Sequence, residues 1–154
     1  MNKLSEKKRI LYVDGYEDNR LLMLYLLDNL GYDCLAVPTM SEGLALARSG
    51  LFDLYILDTW YHDGTGLELC ARIRRLDKAV PILFFSAWTL DSARQEALRA
   101  GATAYLYKPA LDAVLIEIGR LLKDGKPRYG VKGSSPSSLG PQTAPGRNSI
   151  GWLR

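Results

Sequence analysis

Residues 54–66 read LYILDTWYHDGTG. Four consecutive apolar residues, Leu54 to Leu57, end abruptly in Asp58, and a loop follows. A short run with no polar alternation suits a strand buried on both faces, as the central strands of parallel sheets are. Asp58 then stands at the carboxyl end of that strand, where an open parallel α/β sheet collects its ligands.

The same pattern repeats on either side. Apolar, β-rich runs at residues 10–14, 33–37, 82–86 and 104–108 alternate with stretches of helical period, the signature of βα units. This predicts an α/β fold with five strands and five helices. Leu111, Val114, Leu115, Ile118, Leu121 and Leu122 form one apolar stripe for the fifth helix. Met40, Leu44, Ala47 and Leu51 do so for the second, which opens on a candidate capping box, Thr39 to Glu42. Gly31, Gly50, Gly101 and Gly125 stand where helices should stop. The first helix is apolar nearly all round from Leu21 to Leu27, which predicts cover on more than one side.

The 154 residues suit one well-filled domain, and a composition of 47% apolar and 24% charged residues is ordinary for a globular chain. The net charge of +3 is unevenly spread. Residues 1–9 hold four bases and one acid and residues 125–154 five bases and no acid, so residues 10–124 carry a net −5. An acidic body argues against nucleic-acid binding despite the overall sign. Residues 1–8 read as a basic arm and residues 9–124 as the folded domain. Residues 125–154 hold six Gly, four Pro and five Ser and read as a disordered tail without a DNA-binding output domain. Ile150 to Arg154, with Trp152, is a candidate docking motif there. The N-terminus is polar and no apolar run is long enough for a signal peptide or a membrane span, and Cys34 and Cys70 lack metal-site spacing. A cytoplasmic chain, free of the membrane, is expected.

Four of the five runs end in a reactive polar residue: Asp14, Asp58, Ser86 and Lys108. Brought together on neighbouring strands they would form one cleft. Two adjacent carboxylates repel unless a cation neutralises them, and Mg2+ suits a site with few hard oxygen ligands that shares phosphate oxygens. Lysine offers a point charge for phosphate and serine a hydroxyl donor. A carboxylate nucleophile forming an aspartyl phosphate completes the chemistry.

Over about residues 8–123 the chain resembles the receiver domain of two-component response regulators, through ILYVDGYEDNR, YILDTWYHDGTGLELC, PILFFSAW and GATAYLYKP. The resemblance implies a doubly wound, flavodoxin-like (βα)5 fold whose five-stranded parallel sheet has the order 2-1-3-4-5. It implies that Asp58 is the phosphoacceptor, Asp14 an acidic metal residue, Ser86 the phosphate-binding and switching hydroxyl, and Lys108 the phosphate-binding lysine. It further implies that the Trp60 carbonyl completes the Mg2+ shell, that Lys108-Pro109 is cis, and that Tyr105 is the rotating aromatic residue of the switch.

The match departs from the family at Gly15, where a second acid is usual, so Mg2+ is expected to bind weakly unless Glu17 or Asp18 substitutes. His62 stands where a proline is common, and Trp60 and Trp88 flank the cleft. The expected function is a stand-alone regulator, a monomer or weak dimer and not an enzyme in the usual sense. It would receive phosphate from a histidine kinase or phosphotransfer protein and signal through the face of helix four, strand five and helix five. The alternative is a pseudo-receiver, impaired by Gly15 and acting as a constitutive interaction module. A phosphatase of the haloacid dehalogenase type would need a second aspartate where Trp60 stands. A flavodoxin would need a phosphate-cradling loop where Gly15-Tyr16-Glu17-Asp18 stands.

Overall fold

The computed structural model describes residues 6–123. The elements run β1 (Arg9–Val13), α1 (Glu17–Asn29), β2 (Asp33–Val37), α2 (Met40–Ala47), β3 (Leu54–Leu57), β4 (Trp60–Tyr61), β5 (Gly64–Thr65), α3 (Gly66–Leu76), β6 (Ile82–Ser86), α4 (Asp91–Arg99), β7 (Ala104–Tyr107) and α5 (Leu111–Leu121). Five strands form one parallel sheet in the order β2-β1-β3-β6-β7. Counting only the strands of this sheet, that is the expected order 2-1-3-4-5. Order reverses between β1 and β3, which opens the crevice that such folds use for binding.

Alternation along β1 divides the core. Ile10 and Tyr12 pack with Met23 and Leu27 of α1 and with Val114 and Ile118 of α5. Leu11 and Val13 pack on the other face with Met40 and Leu44 of α2 and Leu69 and Ile73 of α3. All four residues of β3 are buried, as a strand covered by helices on both sides requires. The α5 stripe faces this core, with Val114, Ile118 and Leu122 buried and Leu111, Leu115 and Leu121 partly so.

Several expectations need correction. The first helix is covered on one side: only Met23 and Leu27 are buried, while Leu21 and Tyr25 are 57% and 67% exposed. A helix lying on the flank of a sheet has one inner face, however apolar its remainder. In α2 the stripe stops at Ala47, because the helix ends there and Gly50 turns the chain with φ +67°, leaving Leu51 exposed. Thr39 accepts from the Glu42 amide, but the Glu42 carboxylate accepts from the Thr39 hydroxyl and not from its backbone, so the box is half formed. The reciprocal box belongs to α3, between Thr65 and Glu68.

The loop after Asp58 contains an unforeseen hairpin, in which β4 and β5 pair antiparallel with Trp60 opposite Thr65. Gly31 and Gly101 adopt positive φ at helix ends as expected. At the end of α5 Lys123 takes this conformation with φ +56°, while Gly125 lies outside the described residues. So do the proposed tail, its Trp152 motif and residues 1–5 of the basic arm. Among the described residues, no helix is long and apolar enough to cross a membrane.

Candidate functional site

Three of the strand-end residues lie one step beyond their strands, held there by one more ladder bond each. The Asp14 amide donates to Val37 O at 3.1 Å, that of Asp58 to Val13 O at 3.1 Å and that of Lys108 to Ser86 O at 2.9 Å. Ser86 is the last residue of β6. The four therefore share the carboxyl edge of the sheet, and the Lys108-Pro109 bond is cis. The Lys108 ammonium donates to Asp14 Oδ2 at 2.6 Å and Asp58 Oδ2 at 3.1 Å, with only 8% of its side chain exposed.

The two aspartates differ in what remains free. Asp14 is fully buried. Its carboxylate accepts from the Tyr12 hydroxyl at 2.6 Å, the Tyr16 amide at 2.8 Å, the Asn19 side-chain amide at 3.2 Å and Lys108. Asn19 also reaches Oδ1 at 3.4 Å, so three donors meet Oδ2 and two meet Oδ1, and both oxygens are fully engaged. Burial first, and then the Asp14 charge, push the Tyr12 phenol well above its ordinary pKa, which keeps it a donor. The Arg20 guanidinium binds the Asp14 carbonyl at 2.9 Å and ties α1 to the same point.

Among the described residues, the Asp58 carboxylate accepts only from the Thr59 amide at 2.7 Å and from Lys108, so lone pairs remain free at its two oxygens. Burial pushes its carboxyl above the ordinary carboxylate value; Lys108 opposes this, the Asp14 charge adds to it, and the Thr59 amide opposes it. A carboxyl whose folded pKa is raised contributes most to stability below its unfolded pKa, and loses that contribution as pH rises through the folded value. Asp58→Asn is therefore expected to be more stable than the parent at pH 7.5. Urea unfolding repeated at lower pH should show the advantage shrink as the unfolded value of about 4 is approached.

Ser86 is almost fully buried, and its oxygen accepts from the Thr59 hydroxyl at 2.6 Å and the Trp88 amide at 3.1 Å. Tyr105 is turned inward, its hydroxyl donating to the Trp88 carbonyl at 2.7 Å while its ring stacks on Phe84 with centroids 5.8 Å apart. A chain of hydrogen bonds thus runs from Asp58 through Thr59, Ser86 and Trp88 to Tyr105.

Above these groups lies a cleft of ≈ 620 Å3 whose lining includes Gly15, Asp58, Trp60, His62, Ser86 and Trp88. The Trp60 and Trp88 rings meet edge to face with centroids 6.2 Å apart, narrowing the mouth. Tyr61 also lines the cleft, and it is buried with its hydroxyl donating to the Val13 carbonyl at 3.3 Å. Glu17 and Asp18 are exposed in the first turn of α1 and line no part of the cleft. Among the described residues no three acidic, histidine or cysteine side chains cluster in a way that could hold a metal. Mg2+ can be held by one or two carboxylates together with phosphate oxygens and water. Asp58 fits that minimum; the Asp14 carboxylate is engaged by protein donors in this structure, and Gly15 has no side chain to add.

The sequence did not reveal Tyr12, Asn19, Arg20 or Thr59 as parts of the site. Position offered a signal for two of them: Thr59 adjoins Asp58, and Tyr12 precedes Asp14 by two, the strand period that puts both on one face.

The family model described as "Response regulator receiver domain" matches residues 10–119. The chain is 33% identical over 111 residues to an uncharacterized 14.6 kDa protein in the sodA1 3' region of Leptolyngbya boryana, covering 71% of this chain and 85% of that protein. It is 32% identical over 102 residues to the alkaline phosphatase synthesis transcriptional regulatory protein PhoP of Bacillus subtilis, covering 66% of this chain and 42% of that one. Against the transcriptional regulatory protein ZraR of Salmonella typhimurium it is 33% identical over 100 residues, 65% of this chain and 23% of that protein. The chain therefore spans less than half the length of PhoP and ZraR. Among solved structures, the non-phosphorylated HemR receiver domain of Leptospira biflexa superposes with a TM-score of 0.72 at 31% identity, over 80% of this chain and 100% of that one. A two-component response regulator from Clostridium difficile superposes with a TM-score of 0.73 at 27% identity, over 76% and 97%.

Proposed function

The chain belongs to the response regulator receiver domain family, and from that premise we propose that Asp58 accepts a phosphoryl group from a phosphohistidine on a kinase or phosphotransfer protein. Receiver domains are signalling domains rather than conventional enzymes. The observation that carries the proposal is the contrast between the two aspartates: Asp58 keeps lone pairs free at the cleft while Asp14 has none.

A carboxylate oxygen of Asp58 attacks phosphorus as the bond from phosphorus to the donor imidazole nitrogen breaks. Lys108, already on Asp58, neutralises the charge that gathers on the phosphoryl oxygens, and Ser86 donates its hydroxyl to one of them. Asp14 acts by holding Lys108 in place. Asp58 and the Trp60 carbonyl would hold Mg2+, which would add charge neutralisation at the phosphoryl oxygens.

Hydrogen bonds to charged groups are worth about 1.5–3 kcal/mol each. Reversing a 1:99 equilibrium needs about 5.5 kcal/mol, so Ser86 and Lys108 together approach what a switch requires and neither suffices alone. The signal would pass through Ser86, Trp88 and Tyr105 to the face of α4, β7 and α5, where a protein partner reads it. Leu98 and Ile116, 38% and 44% exposed, offer apolar contacts on that side. The free Cys34 and Cys70 suit a reducing compartment.

Incubation with a small phosphodonor and millimolar Mg2+ should label the parent chain on Asp58 and leave Asp58→Asn unlabelled. A silent parent would leave the pseudo-receiver, a constitutive interaction module, as the better account. A Cβ at Gly15 would have nothing nearer than the Pro38 carbonyl at 3.9 Å, so a side chain fits there. Gly15→Asp is expected to tighten Mg2+ by about tenfold or more, since ligand charge sets affinity for such cations. Titration of Trp60 and Trp88 fluorescence with Mg2+ would measure it, and an unchanged affinity would mean that another group already fills that role.

A further inference from the structure

We propose that Thr59 is a positioning residue of this site, whose hydroxyl commits the Ser86 proton to an acceptor on Asp58. The proposal rests on the assignment of Asp58 as phosphoacceptor and deepens it. A serine hydroxyl has two lone pairs and one proton. In Ser86 both lone pairs are taken, by the Thr59 hydroxyl at 2.6 Å and the Trp88 amide at 3.1 Å. Only the proton is left. With Ser86 2% exposed, solvent offers it little competition. The acceptor that arrives in this cleft upon phosphorylation is a phosphoryl oxygen, and Ser86 lines the same cleft as Asp58.

Thr59 suits this task for two reasons. Its amide donates to Asp58 Oδ1 at 2.7 Å, so one residue touches both the phosphoacceptor and the hydroxyl that would bind the product. Its branched Cβ restricts χ1, which limits the freedom of the hydroxyl to swing away. Without that hydroxyl, one Ser86 lone pair is orphaned in a buried site and the Ser86 proton is free to turn. Valine preserves the shape and removes the O–H, while serine keeps the O–H and loses the methyl group.

The test uses beryllofluoride, which bonds to a carboxylate oxygen as a phosphoryl mimic, titrated into the full chain at saturating Mg2+ with Trp60 and Trp88 fluorescence as the readout. Thr59→Val should bind it roughly tenfold more weakly than the parent, and Thr59→Ser within about twofold, since the loss is that of one charge-directed hydrogen bond. In a Ser86→Ala background Thr59→Val should have no further effect, because Thr59 acts through Ser86. Binding by Thr59→Val within twofold of the parent, or an equal loss in both backgrounds, would overturn the proposal. If Thr59→Val fails to fold, Thr59→Ala takes its place in the cycle with the same expectation. A parent that binds no beryllofluoride at all would overturn the assignment of Asp58 itself, and this proposal with it.

Discussion

Gly66→Ala should lose about 3 kcal/mol or more of stability in urea unfolding, at or above the upper end of what overpacking usually costs. An added Cβ would lie 2.1 Å from the Asp58 carbonyl oxygen and 2.9 Å from the Phe84 ring. The first of these neighbours is backbone, so no side-chain rotation relieves the overlap. Asp58 is held by its amide on Val13 O, and Gly66 is tied to the Thr59 carbonyl at 2.9 Å, so the loop cannot widen without breaking a ladder or turn bond. The functional loss should exceed the loss of stability. Moving Asp58 by about 1 Å spoils alignment with an incoming phosphorus, and misplacement on that scale costs about 100-fold in rate. Phosphoryl incorporation measured well below the melting temperature separates the two effects. Gly15→Ala is the control: the added Cβ meets only the Pro38 carbonyl at 3.9 Å, and both stability and labelling should stay near those of the parent.

Lys108→Met is expected to cost about 3–5 kcal/mol at pH 8, the range seen when one partner of a buried ion pair is removed. Methionine replaces the aliphatic stem, so the loss reports on charge. Without the ammonium, Asp14 and Asp58 are left with no cation among the described residues that bonds to either carboxylate. Asp58, whose carboxyl burial already pushes upward, then loses the main interaction that favours its ionised form. It should take up a proton at higher pH than in the parent, so the destabilisation should shrink as pH is lowered. Adding Asp58→Asn should restore much of the stability at pH 8, because it removes one of the two opposed charges. A destabilisation that is independent of pH would show that Lys108 contributes packing rather than charge. Phosphoryl labelling of Lys108→Met should be lost even under conditions where it is folded.

The fold was legible because its signals are local. The unbroken apolar run 54–57 announces a doubly covered strand, and the α5 stripe announces a helix with one inner face. Such periods depend only on residues a few places apart. The misreadings came where a local pattern had to be resolved by distant neighbours. Apolar residues all round α1 implied cover on several sides, yet one layer of helices on each face of the sheet leaves Leu21 and Tyr25 in solvent. The capping box at Thr39 and Glu42 matched the pattern of the one at Thr65 and Glu68, but only the second closes reciprocally.

At the site, the residue pattern placed two aspartates, a serine and a lysine at the carboxyl ends of strands, where they meet if those strands are neighbours. Strand period and parallel topology leave those side chains few other destinations. The family resemblance set Asp58 apart from Asp14 as phosphoacceptor, but nothing along the chain showed how differently the two carboxylates are hydrogen-bonded. That difference is tertiary: Tyr12, Tyr16, Asn19 and a lysine 94 residues away all donate to the Asp14 carboxylate, whereas Asp58 accepts from Thr59 and Lys108. The role inferred for Thr59 is tertiary too, because its hydroxyl meets Ser86 across 27 residues of chain. Whether a polar atom is satisfied depends on which donors the fold brings within about 3 Å, and no spacing along the chain records that.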